Sequence, residues 1–207
     1  MLKPSNGGCP ACGAPLYGWV QLPAPGNSRP GDTVLLERCE SCGLGIAAGL
    51  REAGAITALL DAARELPGGE LELRLANRAS IQAALGGDRW AALEPGRRLY
   101  VTPESARALC KAAGLRVEEL RWPRSGSGQA WLWQTILNAF TFERNFARRA
   151  RAGDLRPSGL TERLRFAVDS VVTVLAALPV ALVSAPLELL AALASRGGQL
   201  MILVKRI

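Results

Sequence analysis

Histidine is absent from the 207 residues. That removes the side chain most often used for proton transfer near neutral pH, and with it a common metal ligand. Lysine is scarce as well: Lys3, Lys111 and Lys205 are the only three, so the formal net charge of +7 rests almost wholly on arginine. Such an excess suits an acidic partner, nucleic acid or an anionic lipid surface, and suits equally an arginine-rich genome. Aromatic residues make up only 5% of the chain. Few rings interleave with the basic residues near the amino terminus, which weakens a nucleic-acid reading without excluding it. Met1 to Gly8 carries no apolar run, so no secretory signal is expected. The expectation is a cytoplasmic chain, where paired cysteines favour a metal site over disulfides.

The chain is long enough for one ordinary domain, or for a small metal module joined to a larger one. With 49% apolar and 21% charged residues it reads as globular. CPACG at 9–13 and CESCG at 39–43 give two CxxC pairs, each followed by glycine. Each pair forms a tight turn that aims two thiolates at one ion, and four sulfurs complete a closed tetrahedron. Cys9, Cys12, Cys39 and Cys42 are therefore expected to bind one structural zinc ion. Two disulfides or a thioredoxin-like redox pair are the competing readings, and neither accounts for two matched pairs. Tyr17 to Gln21 and Thr33 to Arg38 read as short strands around the turn-rich segment 23–32, which is a zinc-ribbon layout over 1–48. Cys110 stands apart and is expected in a core.

From Glu52 to Leu66, the spacing of Ile56, Leu59, Leu60 and Ala63 predicts an amphipathic helix ended by Pro67, Gly68 and Gly69. ELELRLAN then alternates, with Leu71, Leu73 and Leu75 on one side and Glu70, Glu72 and Arg74 on the other: a strand buried on one face only. Thr102 is a good helix N-cap and Pro103 a good first residue; Ala106, Leu109, Cys110 and Ala113 form the apolar stripe, and Gly114 stops the helix. Leu115 to Trp122 reads as a strand, Gln129 to about Arg151 as one long amphipathic stretch, and Leu200 to Val204 as a buried terminal strand.

The order of PGGELEL, LANRAS, GGDRW, LYVTPESARALCKAAGLRVEEL and a final GGQLMILVKRI resembles the carboxy-terminal half of class I S-adenosylmethionine-dependent methyltransferases, some of which carry an amino-terminal zinc ribbon. The resemblance covers roughly 52–122 and 196–207. It implies that the last strand inserts antiparallel between the two before it. The family's glycine-rich cofactor loop and ribose-binding acid have no counterpart here. No catalytic or cofactor-binding residue is carried over, and no S-adenosylmethionine binding is expected. The implied fold is α/β, an α+β remnant: a zinc ribbon, then over 49–207 a truncated methyltransferase-like mixed sheet of about three strands. The alternation of ELELRLAN suggests that its strand is an exposed edge where a protein partner or second copy could dock.

Ser170 to Leu187 contains no charged residue, and Arg144, Arg148, Arg149, Arg151, Arg156, Arg163 and Arg165 precede it. The length reaches the lower limit for crossing a bilayer, and the arginines resemble a positive-inside flank. Pro179 and Pro186 argue against an unbroken helix. The expectation for about 166–195 is an apolar helical hairpin, either dipping into the cytoplasmic membrane or buried as a pair over the sheet, with a true span disfavoured.

Together these readings point to a methyltransferase-like zinc-ribbon protein without catalytic power, a binding module at a membrane surface or with a partner protein. The alternatives are a methyltransferase whose site is completed by another chain and a nucleic-acid-binding ribbon.

Overall fold

The computed structural model describes residues 4–23, 33–48, 70–94, 96–124 and 126–206. The expected helix from Glu52 to Leu66, its Pro67-Gly68-Gly69 stop and the turn residues 24–32 lie outside the described residues. The chain divides into two compact units.

The first unit is built from Met1–Ala79, Glu94–Trp122 and Gln199–Ile207. Its strands are β1 (Pro4–Gly8), β2 (Pro15–Pro23), β3 (Thr33–Cys39), β4 (Gly45–Ala47), β5 (Glu70–Asn77), β6 (Leu99–Val101), β7 (Leu115–Arg121) and β8 (Gln199–Arg206). They form one eight-stranded sheet in the order β1-β2-β3-β4-β6-β5-β8-β7. Only β5 and β6 run parallel; every other neighbouring pair is antiparallel. The sheet is thus far larger than the expected three strands, because the cysteine-bearing strands continue into it through β4 and β6. Each of those two strands has three residues. Runs so short carry no readable periodicity.

β8 lies between β5 and β7, antiparallel to both, as expected. β5 is therefore an interior strand, and the described edges are β1 and β7. Its alternation has another cause. Glu72 and Arg74 are exposed while Leu71, Leu73 and Leu75 pack against the core, so one face of this part of the sheet is solvated. Helix α1 (Pro103–Ala112) covers the apolar face of the sheet as its sequence predicts. Thr102 caps it: its Oγ1 accepts from the Ser105 N–H while the Ser105 hydroxyl accepts from the Thr102 N–H. Ala106, Leu109, Cys110 and Ala113 are buried, and Gly114 takes φ +70° just past the end. Burial pushes the Cys110 thiol up to about 11, so it stays a protonated core group.

The second unit, Ser80–Leu93 and Pro123–Gly198, is helical. It holds α2 (Ile81–Gly86), a 3-10 turn at Gly87–Arg89, α3 (Ser127–Asn138), α4 (Phe146–Ala152) and α5 (Leu160–Leu193). The single stretch expected from Gln129 to Arg151 is broken into α3 and α4. The break is held from a distance: buried Asp169, on α5, accepts the Phe142 and Glu143 N–H groups at 2.8 and 2.9 Å. Asn138 adds to it, its Oδ1 accepting from the Asn145 N–H at 2.8 Å and its Nδ2 donating to the Arg89 carbonyl at 2.7 Å. Asn145 sits at φ 56°, the left-handed region that asparagine tolerates.

The expected hairpin over 166–195 is instead part of one 34-residue helix. Pro179 and Pro186 stand seven residues apart, on one face, and both are exposed. Their rings point away from the rest of the unit, and the helix continues through both.

Candidate functional site

Two features stand out, one in each unit. The first is a cluster of four cysteines. At each CxxC turn the backbone folds back in the same way: Cys9 N–H donates to Ala14 and Gly13 N–H to Cys9, both at 2.8 Å, and Cys39 N–H donates to Leu44 at 2.8 Å and Gly43 N–H to Cys39 at 3.1 Å. Gly13 and Gly43 take φ +77° and +73°, which is why glycine follows each pair. The two turns face each other, so Cys9 Sγ lies 3.6 Å from Cys42 Sγ and Cys12 Sγ 3.5 Å from Cys39 Sγ. All four sulfurs fall within 4.8 Å of one another. A tetrahedral ion with metal–sulfur bonds of about 2.3 Å separates its ligands by roughly 3.8 Å, so the cluster fits such an ion. Both of these sulfur–sulfur contacts join one turn to the other.

Burial pushes the thiols of Cys9 and Cys42 upward. At Cys12, which is exposed, burial is outweighed by hydrogen bonding from the Ala14 backbone and the neighbouring cysteines, and the thiol lies below its ordinary value. A bound cation would deprotonate all four.

Arg78 is a member of this site that the LANRAS segment gave no reason to select. Its guanidinium donates to the Gly43 carbonyl at 3.0 Å and stacks over the Trp19 ring, 4.9 Å from the centroid. Burial lowers its pKa from the usual arginine value, yet it stays charged. Four thiolates on a divalent ion would leave a net charge of about −2, part of which Arg78 would offset. Thr102 ties the second turn to α1, its hydroxyl donating to the Cys42 carbonyl at 2.7 Å. A side chain at Gly43 would meet the Thr102 methyl at 2.6 Å, a second reason for glycine there. Among the described residues no other group of three or more cysteine, aspartate or glutamate side chains is placed to hold an ion.

The second feature is the outward face of α5. By length and composition alone this helix is able to cross a membrane. Its distribution of polarity is inverted. Asp169 and Ser184 have no exposed surface and Glu188 has 2%, whereas Val174, Leu175, Leu178 and Leu182 are 75, 73, 69 and 69% exposed. The two inward carboxylates, Asp169 and Glu188, are satisfied. Glu188 accepts from the Gly198 N–H at 2.8 Å and from Gln82 Nε2 at 3.0 Å, and Gln82 Oε1 accepts from Trp90 Nε1 at 3.2 Å. The buried pair expected over 166–195 is thus not formed; the apolar side of the helix faces outward.

Comparison with protein-family models, with curated proteins and with solved structures finds no match to this chain.

Proposed function

We propose that the chain is a non-catalytic binding module in which a structural zinc ion stiffens the cysteine-bearing unit and the helical unit rests on a membrane surface. One observation carries this reading: α5 hides its acids and presents a continuous row of leucine and valine to the outside. Soluble proteins rarely expose contiguous apolar surface on this scale without a partner for it. Zinc is favoured for the cluster because four thiolates in tetrahedral array suit it and close the coordination sphere, leaving no position for substrate. Flotation of the metal-loaded full chain with lipid vesicles tests the membrane part. Co-flotation supports it, and a chain left at the bottom of the gradient sinks it. Elemental analysis tests the other part, with one zinc per chain expected; iron or no metal would overturn that assignment.

A second reading is kept for one reason, the strand order β5-β8-β7 with β8 antiparallel to both neighbours, which the resemblance to class I methyltransferases implies. In that reading the chain is half of an S-adenosylmethionine-dependent enzyme whose cofactor site another chain completes. Calorimetric titration of S-adenosylmethionine into the zinc-loaded chain separates it from the first. Binding at micromolar strength would favour the enzyme, and no heat is expected from the module.

A further inference from the structure

We propose that the surface met by α5 is an anionic bilayer leaflet, and that the helix lies along the interface instead of crossing it. This rests on the membrane-surface reading above and adds the lipid chemistry and the disposition. Length decides the disposition first. Between Arg165 and Arg196 no exposed residue of the helical unit's outward row is charged, and these 30 residues of mostly helical chain span about 45 Å at 1.5 Å each. A hydrocarbon core is about 30 Å thick, so a crossing would need a tilt beyond the roughly 0–40° that spanning helices adopt. A helix lying in the interface has no such limit.

The inward side argues the same way. α5 packs its polar stripe against neighbours that carry Gln82, Gln134, Asn138 and Asn145, all buried and hydrogen-bonded. Crossing would draw this polar packing into hydrocarbon, where it is costly. Lying flat leaves it above the lipid.

Charge selects the leaflet. The helical unit holds ten arginines and six carboxylates. Asp169 and Glu188 are buried, Glu143 is paired with Arg149, and the exposed anions left are Asp88, Asp154 and Glu162, the last accepting from the Ser158 N–H at 2.8 Å. The exposed apolar row is bordered by a surplus of cations: Arg163 and Arg165 against Glu162 at one end and Arg196 at the other. Arg165 lies over the exposed Phe142 ring, 5.7 Å from its centroid, a pairing suited to headgroup depth. A second copy is a poorer occupant. A two-fold pairing through α5 sets arginine ends against arginine ends whether the helices run parallel or antiparallel, whereas an anionic surface neutralises them.

The test compares phosphatidylcholine vesicles with phosphatidylcholine vesicles containing phosphatidylglycerol, using the metal-loaded full chain. Affinity is expected to be tenfold or more higher for the anionic vesicles and to fall towards the neutral value at high salt. Arg163→Glu with Arg165→Glu and Arg196→Glu is expected to abolish that gain while keeping the binding to neutral vesicles. Equal affinity for both vesicles would overturn the anionic assignment and leave the membrane reading standing; binding to neither would remove the reading beneath it. A dimer in lipid-free solution that Leu175→Glu with Leu178→Glu dissociates, in a chain that ignores vesicles, would give the face to a second copy. Val174→Trp reports the disposition through the quenching it adds over the native tryptophans. Lipids brominated near the headgroup are expected to quench it best, and best quenching from the chain ends would mean a crossing.

Discussion

Helices α1 and α5 use one periodicity to opposite ends. In α1 the stripe at i, i+3, i+4 is Ala106, Leu109 and Cys110, and it faces the core. In α5 the stripe that faces inward carries Asp169, Ser184 and Glu188 beside Val180, Ala191 and Ala192, and most of the leucines and valines face out. Periodicity tells which residues share a face of a helix. It does not tell which face meets water. That is settled by what the remaining chain offers: α1 is offered the apolar side of a sheet, whereas α5 is offered Gln82 and the backbone N–H groups of Phe142, Glu143 and Gly198.

The comparison can be broken at several points, and the largest effect is expected at the metal. Removing the ion with a chelator, or replacing buried Cys39 by serine, should abolish cooperative unfolding of the sheet unit, since apparent binding free energies of about 10–16 kcal/mol are typical of structural zinc in small domains. Hydrogen exchange should show lost protection in β2, β3 and β4 while α3 and α5 keep theirs. Equal loss in both units would mean that the metal supports more than its own unit.

Next in size is the core of α1. Leu109→Ala should lower stability by about 2–5 kcal/mol in denaturant titrations of the metal-loaded chain. On α5 the sensitive position is polar instead. Glu188→Ala leaves the Gly198 N–H without its carboxylate partner and takes one of two acceptors from Gln82 Nε2, which should cost roughly 1–3 kcal/mol. Thr102→Ala removes a helix cap and the bond to the Cys42 carbonyl, and about 1 kcal/mol is expected from thermal melts. The smallest effect on folding, and the most telling, belongs to the outward leucines. Leu175→Glu, Leu178→Glu or Leu182→Glu should change the stability of the lipid-free chain by no more than about 0.5 kcal/mol, as exposed positions do.

What the sequence disclosed followed the range of the interactions involved. The cysteine turns were readable because spacing, glycine and sulfur chemistry act within five residues. Helix α1 was readable for the same reason, from Thr102 and Pro103 at its start to Gly114 at its end. β5 was readable as a one-faced strand but not as an interior one, since Glu72 and Arg74 report an uncovered face and carry no information about neighbours in the sheet. β4 and β6 were too short to show a pattern. The break between α3 and α4 depends on Asp169, which lies 27 residues from Phe142 in the chain. The hairpin expected at Pro179 and Pro186 failed because both rings point outward, where a proline costs its own hydrogen bond but blocks no packing. Arg78 was invisible as a site residue because only the fold brings it to Gly43 and Trp19.

Flotation of the metal-loaded full chain beside its Leu175→Glu/Leu178→Glu/Leu182→Glu variant, with circular dichroism confirming that both are folded, tests the inverted helix most directly. The account predicts that the parent rises with anionic vesicles and that the variant, equally folded, stays at the bottom. A variant that rises as well as the parent would contradict it, and would mean that the exposed face of α5 is not the surface that meets the lipid.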